Sequence, residues 1–459
     1  MKMNNFRNLK KFNLNIFRKL RFSALLLTCS AVLAACGSAA QSDNLPTIHL
    51  QFDESAQSAI SPETADISQE ISQEIAEISQ ESAEISQEIA DDLTDLTDVE
   101  VQQLAQMPQM IEPANGGDVP LRQIQPQVTP NPPNITTPRN PADYSRFNTT
   151  FIDLFDTVTI LIGYAQNQAE FNHFANDVIR PELLRLHRLF DIHNEYPGLN
   201  NMRTVNQNAG VRPVVVDQII IDLLKLSIDA YEQTNGAVDI TLGAVIDLWR
   251  DAIQNTQTVP SAAALQAAAR VRGVEQIVID ERARTVYIPA GMQLDTGGIA
   301  KGFAVETAAQ LAESAGFAAF TLSVGGDVRV TAGPMSGNRD VWGVGVQNPS
   351  NTAEILDAIF ITHNSVFSSG DYQRFFEADG VRYHHIIDPQ TLQPARNFRA
   401  TTIIHPNGAI ADILATATFI LDLETAKQVV SNLGGQALWI LHDGSIITTD
   451  GYSQYGSNR

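Results

Sequence analysis

Leu294-Asp295-Thr296-Gly297-Gly298-Ile299-Ala300-Lys301-Gly302 leads directly into a stretch with helical spacing of apolar residues that runs to Ser314. Glycines ahead of a helix let backbone N–H groups approach a phosphate. The helix N-terminus favours an anion, and Lys301 adds a full charge. The run lacks the Gly-Lys-Ser/Thr ending of a P-loop and the spacing of a dinucleotide fingerprint. Read alone it is also a plain strand-to-helix turn. Around it, Phe155 to Tyr164 reads as a strand, and Phe171 to Phe190 and Val216 to Thr234 read as helices. Glu275 to Pro289, Phe320 to Thr331 and Val341 to Gln347 read as strands with turns. Helices are predicted over Gly302 to Ser314, Asp412 to Leu421 and Glu424 to Leu433, and strands over Ala437 to Leu441 and Ser445 to Thr449. Without regular βαβ alternation the expectation is α+β: mixed sheets with packed helices in one catalytic domain.

Two further segments carry polar chemistry. Phe367-Ser368-Ser369-Gly370-Asp371-Tyr372-Gln373-Arg374 is followed by Tyr383-His384-His385-Ile386-Ile387-Asp388-Pro389. Adjacent histidines on a strand face opposite ways, so at most one enters a given site, as a general base or as a hydrogen-bonded structural group. No third His or Cys stands at zinc spacing. In Ala411-Asp412-Ile413-Leu414-Ala415-Thr416, Asp412 and Thr416 share a helix face. Two hard oxygens there suit Mg²⁺ shared with a phosphate. The alternative is that Asp412 caps the helix.

The 459-residue chain begins with seven cations, from Lys2 to Arg21, and an apolar run from Phe22 to Ala35. Leu33-Ala34-Ala35-Cys36-Gly37 looks like a bacterial lipobox, which predicts a signal peptide over 1–35 and acylation at Cys36. An uncleaved anchor is the alternative. Cleavage removes Cys29 and leaves Cys36 lipidated, so no thiol remains for a disulfide or a thiolate site. The mature chain then carries a net charge of about −29, after loss of seven cations from −22. Such a surface repels phosphate backbones, so nucleic acid is excluded as a partner. Residues 36–106 contain an acidic Ile-Ser-Gln-Glu repeat with a narrow helical stripe, either a coiled coil or a solvated helix. Residues 107–145 are proline-rich and read as a linker, and 146–455 as the catalytic domain.

Taken in order, the motifs closely resemble the FAD:protein FMN transferase (ApbE-like) family. They are Asp295 to Gly302, Ser323-Val324-Gly325-Gly326-Asp327, Ser368 to Tyr372, His385 to Pro389 and Ala411 to Thr416. The likeness extends upstream through Thr204 to Gly210 and Gly236 to Gly243, as far as Phe155-Asp156-Thr157. It departs in having Phe155-Asp156 where many members have Met-Gly, and Leu392 where glycine commonly stands. The second change implies a turn of different backbone conformation. The resemblance implies a Mg²⁺-dependent flavinyltransferase that moves FMN from FAD to a Ser/Thr hydroxyl of a flavoprotein, releasing AMP. It implies an FAD site lined by Asn206, Ala237, Val238, Asp239, Asp295, Lys301 and Ile386, and Mg²⁺ held by Gly298, Asp412, Ala415 and Thr416. His385 is the candidate base. The implied partners are FAD and acceptor flavoproteins of membrane redox complexes. The protein is expected to be exported and lipid-anchored, facing the extracytoplasmic side. A lipoprotein that binds or hydrolyses FAD is the alternative.

Overall fold

The computed structural model describes residues 143–335 and 340–456; the signal peptide, Cys36, repeat and linker readings lie outside these residues. The described chain opens with an antiparallel hairpin, β1 (Ser145–Leu154) and β2 (Thr157–Ala165). Phe155 and Asp156 form its turn, both left-handed at φ 51°, as a primed two-residue hairpin turn requires. The expected strand from Phe155 is therefore β2 alone. In β1 only Phe151 and Leu154 are buried, and Ser145, Arg146, Asn148 and Thr150 face water, so no apolar run announces it.

A helical run follows: α1 (Gln168–Asn172), a π-helical stretch (His173–Ile179) and α2 (Arg180–Phe190). Asn167 starts it by accepting the Glu170 N–H at 2.9 Å. Next come α3 (Met202–Gln207), β3 (Val214–Val215), α4 (Gln218–Gln233), α5 (Gly243–Asp251) and α6 (Ala262–Ala268). β4 (Val278–Asp280) and β5 (Thr285–Tyr287) join β3 in a small sheet. Then α7 (Ala300–Ser314) leads to β6 (Phe320–Val324), β7 (Asp327–Val330), β8 (Trp342–Asn348), β9 (Asn351–Ile361) and β10 (Ser365–Gly370). β11 (Phe375–Ala378), β12 (Val381–His384), β13 (Ala400–His405), α8 (Gly408–Ile420), α9 (Leu423–Asn432), β14 (Gln436–Ile440) and β15 (Ile446–Thr448) complete the described chain.

The principal sheet has the order β1-β2-β6-β7-β10-β13-β14-β15, with every neighbouring pair antiparallel. The α+β expectation holds. Successive residues of a strand face opposite ways, and both faces of this sheet are apolar. In β14, Ala437 and Trp439 join the core that includes α7 and α8, whereas Leu438 and Ile440 join a second cluster with Trp342, Val346 and Ile359 of the β8–β9 ribbon. A third cluster, with Trp249, Leu265, Phe376 and Ile387, ties α5 and α6 to the β11–β12 hairpin.

The seam between α7 and α8 positions the chemistry. A methyl group on Gly302 would lie 2.4 Å from Asp412 Cβ and 2.5 Å from the Gly408 carbonyl oxygen, so the two backbones touch where neither side chain intervenes. Asp412 accepts the Gly302 N–H at 2.7 Å, and Glu306 accepts the Gly408 N–H at 2.7 Å. Each helix thus satisfies an amide in the first turn of the other, a group that has no partner within its own helix. Glu306 also pairs with the buried Arg329 at 3.1 Å.

Candidate active site

The glycine-bearing loop is shaped by side chains from distant elements. Asn206, in α3, brackets Leu294: its Nδ2 donates to the Leu294 carbonyl at 2.9 Å and its Oδ1 accepts the Leu294 N–H at 2.8 Å. Asp295 donates its N–H to the Ile240 carbonyl at 2.8 Å, accepts the Gly297 N–H at 2.8 Å, and is ion-paired with Arg250. Asp239 accepts the backbone N–H of Thr241 at 2.8 Å, and the Thr241 hydroxyl accepts the Gly273 N–H at 2.9 Å. Ala237, Val238 and Ile386 are buried. Asn206 lines a cavity of about 320 Å³ together with His193, Arg203, Asp247 and Leu294. Ala237 lines a separate one of about 210 Å³ with Gly236, Asp388 and Pro389.

Lys301, in the first turn of α7, forms an ion pair with Asp327, which stands at the start of β7 after the Gly325-Gly326 turn. Asp327 also accepts the Ser368 N–H at 3.3 Å. Burial would lower the Lys301 ammonium, but Asp327 and Asp412 outweigh it and hold the amine charged. Asp412 is buried; burial pushes its carboxyl up to about 6, with Lys301 opposing the rise and Asp327 adding to it.

Asp412 does not cap its own helix. Helix α8 begins at Gly408 and Asn407 caps it, accepting the N–H groups of Ala409 and Ile410. Asp412 therefore sits in the second turn, with Thr416 one turn further along. The loop approaches Thr416 closely: a methyl on Gly298 would lie 3.1 Å from its Oγ1. The Ala415 carbonyl accepts the Thr401 hydroxyl at 3.0 Å in addition to the amide one turn along its own helix, so both of its lone pairs are engaged. Gly298, Lys301, Asp412 and Thr416 are thus gathered on the α7–α8 seam, while Asn206 and Asp295 shape the loop and Asp239 braces the neighbouring turn at Thr241.

The two histidines separate as their adjacency predicts. His384 is buried, its Nδ1 accepting the Ile386 N–H at 3.2 Å. Its Nε2 must then carry the proton toward the Ala395 carbonyl 2.8 Å away. Burial pushes this imidazole down to about 4. His385 has a buried Nδ1 with no hydrogen-bond partner. Burial, then the charges of Arg374 and His384, push it down to about 3, so it is neutral at neutral pH. Electrostatically it lies within reach of Lys301.

Leu392 corrects an expectation. The turn keeps the left-handed conformation that a glycine would adopt, with Leu392 at φ 61°. Its carbonyl accepts the Trp249 Nε1 hydrogen at 2.9 Å and its side chain packs on the cluster around Trp249, which holds the strained backbone in place. Two roles escaped the sequence reading. Asp327 lay within a quoted motif without a partner, and Arg250 is 45 residues from the Asp295 it holds.

Comparison with known proteins gives the family and the fold. The ApbE family profile matches residues 156–439. An FAD:protein FMN transferase of Treponema pallidum is 35% identical over 261 residues, covering 53% of this chain and 71% of the relative. One from Klebsiella pneumoniae is 31% identical, covering 52% and 69%. Among solved structures, the ApbE protein of Thermotoga maritima superposes with a TM-score of 0.62 at 29% identity, over 68% of this chain and 99% of that one. The flavin transferase ApbE of Vibrio cholerae, at 23% identity and a TM-score of 0.58, shares the fold over 68% of this chain and 99% of its own.

Proposed function

This chain belongs to the ApbE family, and from that premise we propose that it moves FMN from FAD to a Ser or Thr hydroxyl of an acceptor flavoprotein, using Mg²⁺ and releasing AMP. It is a flavin transferase, as its curated relatives are. The observation that carries the finer reading is the gathering of Lys301, Asp412, Thr416 and the Gly298 backbone on one seam, within electrostatic reach of His385.

The donor set fits Mg²⁺. Asp412 uses Oδ2 for the Gly302 N–H, which leaves Oδ1 to a cation, and the Gly298 backbone approaches the Thr416 hydroxyl on the same helix face one turn along. All are hard oxygens. Among the described residues no group of three or more His, Cys, Asp or Glu could hold a metal. One carboxylate supplemented by substrate phosphates is the usual arrangement for this ion. When bound, Mg²⁺ neutralises charge on the diphosphate oxygens.

The protein's own residues do the rest. Lys301, kept charged by Asp327, faces the diphosphate as a second cation. Asn206 and Asp295 hold the loop in shape, Asp295 by accepting the Gly297 N–H, so that the chain from Gly298 to Lys301 is presented to the ligand. His385, neutral and with Nδ1 free, takes the proton of the acceptor hydroxyl as oxygen bonds to phosphorus. An anionic diphosphate beside it offsets the cations that depress its basicity. Cys36 would carry the lipid, placing 146–455 on the extracytoplasmic side of a membrane at the end of the segment from 37 to 145. Acceptors are then flavoproteins of membrane redox complexes.

The purified protein is tested with FAD, Mg²⁺ and an acceptor flavoprotein, reading covalent flavin fluorescence on the acceptor and AMP in solution. Transfer is expected only with Mg²⁺. AMP release with no labelled acceptor would replace transfer by FAD hydrolysis.

A further inference from the structure

β11 and β12 pair with Phe375 opposite His384, and the Arg374 carbonyl accepts the His385 N–H at 3.2 Å. The ladder therefore continues one step, with Arg374 directly across from His385. Opposed residues of an antiparallel pair project to the same face, with Cβ atoms about 5 Å apart. Among the described residues no carboxylate lies within ion-pair distance of Arg374, whereas Arg382 and Arg399 share Asp371. The Arg374 side chain is exposed. Its charge reaches both neighbours in the site, opposing protonation of His385 and of Lys301. An exposed cation kept clear of acids in a chain of net charge −22 is available to an anionic ligand.

We propose that Arg374 binds the non-bridging oxygens of the FMN phosphate under attack. The inference deepens the transferase reading and rests on it. In an in-line displacement the hydroxyl oxygen bonds to the FMN phosphorus while the bond from that phosphorus to the bridging oxygen breaks. The bridging oxygen leaves with the electron pair on AMP, and the hydroxyl proton passes to His385. Attacking and leaving oxygens lie on opposite sides of phosphorus, so a group beside the base is remote from the AMP phosphate and close to the equatorial oxygens. Negative charge is spread over those oxygens in the transition state, where a guanidinium fork makes paired hydrogen bonds. Arg374 also disfavours protonation of His385, keeping the imidazole able to accept a proton.

The test uses Arg374→Ala and Arg374→Lys in the full chain with Mg²⁺, after thermal melts establish that both fold as the wild type does. FMN, riboflavin and AMP are titrated separately, and transfer from FAD to a threonine-containing acceptor protein is followed by covalent fluorescence. Arg374→Ala is expected to weaken FMN binding at least tenfold, leave riboflavin and AMP binding unchanged, and slow transfer by roughly 10²–10³-fold. Lysine should restore part of both, as a point charge without the fork. Equal affinities for FMN in wild type and variant, or an equal loss for riboflavin, would overturn the assignment. A wild type that labels no acceptor while binding FMN through Arg374 would instead overturn the transferase reading, and the two failures are thereby distinguished.

Discussion

Glu306 and Asp412 each hold the start of the other's helix: Asp412 accepts the Gly302 N–H and Glu306 the Gly408 N–H, both at 2.7 Å. The carboxylate proposed to hold Mg²⁺ is thus also a structural acceptor, so substitutions at the seam are expected to act on fold and chemistry together.

Gly302→Ala is expected to lower stability by about 1–3 kcal/mol, because its methyl would meet the Gly408 carbonyl and Asp412 Cβ in a seam with no room to yield. The melting midpoint measures this. An unchanged midpoint would mean that the helices can part without cost.

Asp412→Asn keeps an oxygen for the Gly302 N–H and removes only the charge. It should melt near the wild type and lose Mg²⁺-dependent transfer, with no recovery as Mg²⁺ is raised. Asp412→Ala should lose activity and, in addition, about 1–3 kcal/mol for the buried Gly302 N–H left without a partner. If the Asn variant turns over normally, Asp412 is structural only.

His385→Ala should slow transfer roughly 10²–10⁴-fold while FAD still binds, the loss typical of a missing general base. His384→Ala should instead destabilise by about 1–3 kcal/mol, since it leaves the Ile386 N–H and the Ala395 carbonyl unpaired. Rates and melting midpoints for both variants decide. Mild, equal effects would remove His385 from the mechanism.

The same histidine makes stability depend on pH. Burial holds His384 near 4 in the folded protein, against 6.5 for an unperturbed imidazole. Between these values the unfolded chain binds a proton that the folded one refuses. Stability is therefore full above about pH 6.5 and is lost as pH falls through 4, by about 3 kcal/mol in all. His385 adds a loss of the same sign. Denaturant curves from pH 7 to 4 should fall less steeply for His384→Gln; parallel curves would clear His384 of this role.

A chain begun at Asp143 should fold and retain activity, because β1 starts at Ser145 and supplies the whole outer flank of β2. One begun at Thr157 should aggregate, since it bares the β2 edge. Light scattering and transfer activity separate the two.

What the sequence disclosed followed from periodicity and from glycine. The helices containing Leu183, Ile220 and Val430 carry apolar residues at three-and-four spacing, and the loop at Gly297-Gly298 is visible as composition. β1 was not legible because its outward residues are polar and its inward ones are few. β13 was missed although Thr401, Thr402, Ile403 and Ile404 are all buried, since a short β-branched run with no alternation is ambiguous by itself. Distant partners were invisible for a different reason. Nothing local in Lys301 selects Asp327, and nothing in Asp295 selects Arg250; only the folded chain brings them together. At Leu392 a residue type pointed to the wrong backbone, because tertiary contacts with Trp249 outweighed local preference.

The principal sheet also sets the order of events in folding. β2 ends at Ala165, yet its second neighbour, β6, begins only at Phe320, with α1 to α7 and the small sheet lying between. The first hairpin can close early, through its own tight turn. Its inner edge then waits for a partner far along the chain, and such long-range pairing is slow. While it waits, that edge is a template for other chains. Yield on refolding should therefore depend on dilution more than on time, and the strand that completes the sheet's centre, Phe320–Val324, is where the folding reaction becomes committed.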